Sequence, residues 1–110
     1  MATVQIRLGR LRSVDGDHLL VWSPLSDAEV ISSDGTNKTT VLVVTDVHIY
    51  AVNDISQLVW RVVVSGTEAV KCARGSTPDA ATASNDMVLG NTVEYFGVQA
   101  VGEKVAITNS

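Results

Sequence analysis

Any chemistry in this chain has to come from two histidines, one cysteine and twelve carboxylates. His18 stands beside Asp15 and Asp17 in "SVDGDH", the densest grouping of metal-ligating residue types, and His48 lies in "VHIYAV". A metal centre asks for three or four such ligands converging from different parts of a fold. Three of them packed around one Asp-Gly pair read as turn chemistry instead, so no metal is expected. Cys72, in "VKCARG", has no second cysteine to bridge to, which fits a reducing compartment or indifference to redox. Inside an apolar run it reads as a buried, inert thiol. No G-x-S-x-G nucleophile turn, no G-x-G-x-x-G and no phosphate-loop spacing occurs. Glu94 and Glu103 fall on neighbouring expected strands, but a glycosidase sets two carboxylates ~5–10 Å apart across a sugar cleft. Five aromatic residues in 110 are little with which to line one. The expectation is a protein that is not an enzyme and has no cofactor.

The elements that hold these residues are read from composition and periodicity. With 110 residues, 45% hydrophobic and 18% charged, the chain is long enough for one core and too short for two. High apolar content with modest charge argues against disorder. The net charge of −4 disfavours nucleic acid, whose binding draws on a surplus of Lys and Arg. The longest purely aliphatic runs, "VLVV" at 41–44 and "VVV" at 62–64, are far short of the ~18 residues of a membrane helix. No membrane partner is expected, and "MATVQIRLGRLR" does not read as a secretory leader. Asn37-Lys38-Thr39 fits a glycosylation acceptor and is taken as chance.

Helical periodicity fails along the chain, and a period of two succeeds. In "TVQIRLG", Val4, Ile6 and Leu8 fall on one side and Thr3, Gln5 and Arg7 on the other, as in a half-buried strand. The Asp-Gly pair at 15–16 predicts a hairpin into "HLLVWS", which Pro24 stops. "DAEVIS" is ambiguous, and "SDGTN" at 33–37 is a turn. Strands are predicted over "TTVLVVT" at 39–45, "VHIYAV" at 47–52, "LVWRVVVSG", "TEAVKCA", "MVLG", "TVEYFGV" and "KVAIT". The sum is an all-β protein, an antiparallel β-sandwich or small barrel of about eight or nine strands. It forms a single β domain over 1–110, with an extended N-terminal arm (1–12) and a long small-residue loop (74–86).

Contact residues are the remaining candidates. Arg7, Arg10 and Arg12 precede the first acid, Asp15, and together could form a basic lip that docks on an acidic protein surface. In "LVWRVVVSG", Trp60 is expected to anchor the core, while Arg61 sits in a second, nearly apolar face that something other than solvent should cover. A neighbouring subunit is the natural cover. Tyr95 and Phe96 must point to opposite sides of their strand, one to the core and one outward. Arg74 and Pro78 mark the small-residue loop as a second contact region.

The last third, "VSGTEAVKCARGSTPDAATASNDMVLGNTVEYFGVQAVGEKVAITN", over residues 64–109, resembles small virion proteins of tailed bacteriophages. The likeness lies in the strand "VKCARG", the loop with Pro78 and Ala80, then "VEYFGV" and "GEKVAI". It implies a structural virion protein, a capsid decoration or cement protein that binds the major capsid protein and stabilises the shell. It implies, too, a homo-oligomer, with a trimer as the guess, in a virion assembled in the host cytoplasm. A β-sandwich module for a glycan or host receptor, associated with a tail, is the alternative.

Overall fold

The structure, a computed structural model, describes residues 2–14, 19–48, 55–81 and 86–109. Nine strands run through them: β1 (Thr3–Val14), β2 (Leu19–Pro24), β3 (Glu29–Ser32), β4 (Lys38–Thr39), β5 (Leu58–Ser65), β6 (Val70–Gly75), β7 (Asp86–Val88), β8 (Val93–Gly97) and β9 (Lys104–Asn109). They form two antiparallel sheets. The larger has the order β2-β1-β5-β8 with β3 also on β1, and the smaller β4-β9-β6-β7. The architecture is the expected all-β sandwich.

β1 organises the larger sheet. Its alternation puts Val4, Ile6 and Leu8 inward, and its residues 3–10 pair with the length of β5 from Thr3↔Ser65 to Arg10↔Leu58. On its other edge it pairs with β3 from residue 3 to 6 and with β2 from 9 to 14. Residues 1–12 were expected as an arm, and they are corrected here. Alternating Val, Ile and Leu need a dry face, so from residue 3 onward the stretch becomes a central strand with neighbours on both edges. At ~3.4 Å per residue a twelve-residue strand spans ~40 Å, close to the longest molecular dimension, 42 Å. The hairpin from β1 to β2 closes with Val14↔Leu19. Its expected turn and the Asp15, Asp17 and His18 grouping lie outside the described residues.

Two expected strands differ. Of "TTVLVVT" only Thr39 is in a strand, because the backbone donors that follow find partners elsewhere. Val41 and Leu42 N–H groups donate to the Glu29 carboxylate (3.0 and 2.9 Å), and Val44 N–H donates to Glu103 O (3.0 Å). The Thr40 hydroxyl donates to Leu42 O (2.8 Å). Side-chain acceptors have displaced a ladder. In the second, "VHIYAV", Val47 and His48 belong to a helical turn that begins at 46, and residues 49–52 lie outside the described residues.

The core fills the space between the sheets with Leu58, Trp60, Val62 and Val64 from β5 against Val70, Cys72, Val88, Val105 and Ile107. Trp60 is fully buried, and its Nε1–H donates to Glu103 Oε2 at 2.8 Å. Glu103, also buried, accepts from Gln99 N–H on its other oxygen (3.3 Å). A buried indole N–H without an acceptor, or a buried carboxylate without donors, would be costly. Each residue therefore makes the other tolerable. Glu103→Ala is expected to lower stability by about 1–3 kcal/mol through the stranded indole N–H, read as a lower urea midpoint at unchanged slope.

Candidate interaction surface

The outward side of the larger sheet follows from the strand registers. Odd-numbered residues of β1 and β5 point away from the core, and cross-strand partners stand side by side. One row across the sheet is Val30, Gln5, Val63 and Val93; the next is Arg7, Arg61 and Tyr95; the next is Pro24, Gly9, Val59 and Gly97. No position in these rows is an aspartate or glutamate. Val30 and Val93 are exposed, as is Tyr95 at 47%.

Trp22 closes one end of this face. It is paired with Leu11, two residues along from Gly9, and its ring lies down over Gly9, where an added Cβ would fall inside the indole. A glycine in mid-strand often marks such a close approach. From there the ring meets Tyr95 edge-on, with centroids 6.4 Å apart, and the Arg61 guanidinium lies 5.4 Å from the Trp22 centroid. That stacking gives Arg61 an electrostatic partner in the ring face. The Trp22 Nε1–H, pressed toward the sheet, has no acceptor among the described residues. Arg7 is held by its Nε–H, which donates to Ser26 O at 2.7 Å.

The other expected contact residues are dispersed. Trp60, expected both as core anchor and as contact, is fully buried and cannot touch a partner; its parity on β5 sends it inward, and this corrects the contact assignment. Arg10 lies on the opposite face of β1 from Arg7 and donates from Nε to Gln57 Oε1 (3.0 Å). Arg12 pairs through its backbone with Val21, and its side chain lies outside the described residues. Three arginines of mixed parity on one strand do not make a single lip. Arg7 is instead joined by Arg61, its direct cross-strand neighbour.

The small-residue loop turns back on its own protein. Arg74 donates from Nη1 to Gly97 O (2.6 Å), lies over the Phe96 ring and sits 3.8 Å from Asp86, tying the smaller sheet to β8 of the larger. Pro78 O accepts from Asn37 Nδ2 (3.2 Å), and Asn37 Oδ1 accepts from Ala80 N–H (2.7 Å), with Ala80 fully buried. Asn37 thus serves as a clamp for the loop.

The candidate reactive groups are likewise occupied. His48 Nδ1 accepts from Thr45 N–H (3.0 Å), and burial holds its imidazole below the ordinary value. Among the described residues no three His, Cys, Asp or Glu side chains are grouped to hold a metal ion. No helix among them is long and apolar enough to cross a membrane. Glu94 is exposed on β8 while Glu103 is committed to Trp60, so the two do not flank a cleft. Burial first, and then the charge of Asp86, push the Cys72 thiol up to about 12 against the opposing pull of Arg74.

No family model, no curated protein and no solved structure matches this chain. The surface therefore has to be interpreted from its own geometry.

Two outcomes follow for this region. Cys72 should resist a thiol-specific disulfide reagent at neutral pH in the folded protein and react fully once urea unfolds it, because only a thiolate attacks. Gly9→Ala should lift Trp22 off the sheet, red-shift the tryptophan emission and lower stability by about 1–3 kcal/mol, as overpacking does.

Proposed function

We propose that this chain is a structural virion protein of a tailed bacteriophage, one that decorates or cements the capsid shell by binding the major capsid protein, and that it is not an enzyme. The observation that carries the reading is the outer face of the larger sheet. It is largely apolar and free of acidic positions in these rows, with Arg7, Arg61 and Tyr95 set between apolar rows. Protein contact surfaces favour this composition, with Tyr, Trp and Arg enriched and acidic residues depleted. A face of this kind, on a sandwich whose His48, Cys72 and Glu103 are committed to its own backbone and core, suits a protein that works by contact. The resemblance of residues 64–109 to small virion proteins points the same way and supplies the location, a virion assembled in the host cytoplasm.

The same face favours one other reading. Tyr95 and Trp22, one edge against the other, are the kind of aromatic platform on which a sugar ring can lie. A tail-associated module for a glycan or host receptor would use it so. The two readings part on self-association, since a shell protein of this size is expected as a closed homo-oligomer, with a trimer the leading guess, and a glycan module as a monomer.

Light scattering across a range of protein concentrations separates them. A fixed multiple of 11.7 kDa that survives dilution supports the virion reading. A monomer at every concentration that binds immobilised glycans overturns it.

A further inference from the structure

Arg7 and Arg61 stand directly opposite one another across β1 and β5, on the same face, and both are half-buried. Like charges at that spacing destabilise a sheet. Among the described residues neither forms an ion pair, although the chain carries twelve acidic residues. The sheet thus holds a pair of guanidinium groups whose counter-charge is not on that face. A two-fold contact centred on this pair would bring four guanidinium groups together, which like-charge repulsion opposes. What fits is a surface that is apolar and acidic.

Among the described residues, one surface has that character. The segment 40–47 lies outside both sheets and forms a wall, held at its start by Thr40 N–H on Val105 O and by the Glu29 carboxylate on Val41 and Leu42, and further along by Val44, which bonds Glu103 O and the Gly102 N–H. Val41 is 86% exposed and Val47 74%, the most exposed large aliphatic residues described. Asp46, exposed, adjoins Val47. The other exposed acids among the described residues are worse candidates. Asp86 is paired with Arg74, Glu68 and Asp79 have interactions within the chain, and Asp27 and Glu94 belong to strands or loops that rim the basic face itself.

We propose that the outer face of the larger sheet in one copy docks on the 41–47 wall of a second copy, with Asp46 seated between Arg7 and Arg61 and with Val41 and Val47 on the apolar rows beside them. This rests on the virion reading and deepens it by naming the contact that builds the oligomer. Face and wall are different parts of the surface, so the contact is head-to-tail. Such contacts close into rings when the rotation allows and grow into filaments when it does not.

The test is reversal of charge on each side, in the full chain, with light scattering for mass and circular dichroism for folding. Arg61→Asp and Asp46→Arg should each raise the dissociation constant about tenfold or more, and the double variant should recover most of the wild-type association. Rising salt should weaken the wild-type oligomer as well. If Arg61→Asp does not fold, Arg61→Gln serves, with a smaller shift in the same direction. A wild-type oligomer whose mass and salt response are unchanged in the Arg61 variants overturns this contact and leaves the virion reading standing. A folded double variant that stays monomeric also overturns it. A wild type that is monomeric throughout overturns both.

Discussion

The period of two along β1 is the constraint on which the rest of this structure depends. Because Val4, Ile6 and Leu8 share one side, that side has to be dry, and the strand has to lie in the interior of a sheet. Being central, it needs partners on both edges, and at twelve residues it is too long for any one short strand to cover. β5 takes one edge, and β2 and β3 divide the other. A shift of one residue in any of these pairings would send the core set outward and bring Arg7 and Gln5 in. The register is therefore strongly specified, and with it the composition of both faces.

The interior and the outer face of the sheet solve their polar problems differently. Inside, Trp60 and Glu103 satisfy one another, and the rest of the layer is aliphatic. Outside, Trp22 lies flat where Gly9 leaves room, and its ring takes the place of a carboxylate as the neighbour of Arg61. A ring face attracts a guanidinium without neutralising it. Positive charge remains on offer beside an aromatic pair, and the proposed contact rests on this.

Fold class and most strands were legible in the sequence because they rest on local alternation, as at "TVQIRLG" and "LVWRVVVSG". The failures have physical causes. "TTVLVVT" has strand composition, but its backbone donors go to Glu29 and Glu103, two distant residues that no local window includes. Trp22 was not singled out, since its position depends on the β1–β2 register, although Gly9 in mid-strand was the available signal. Arg7, Arg10 and Arg12 looked like one cluster by proximity in sequence, and parity separates Arg7 from Arg10. Arg61 becomes the neighbour of Arg7 only once residue 7 is paired with a strand more than fifty residues away. Pro78 lies in the loop where it was expected, whereas Arg74 belongs to the end of β6, and their partners, Asn37 and Gly97, are again remote.

The pairing of β1 with β5 also bears on how the chain reaches this state. Thr3 must find Ser65 and Leu8 must find Trp60, whereas the partners of β1 in β2 and β3 lie much nearer in the chain. Contacts so distant in sequence are entropically slow to close. Until they do, one edge of β1 and its Val4, Ile6 and Leu8 face stand open to other chains. An open strand edge of this kind can pair with another chain, so this is the stage of folding most exposed to mispairing.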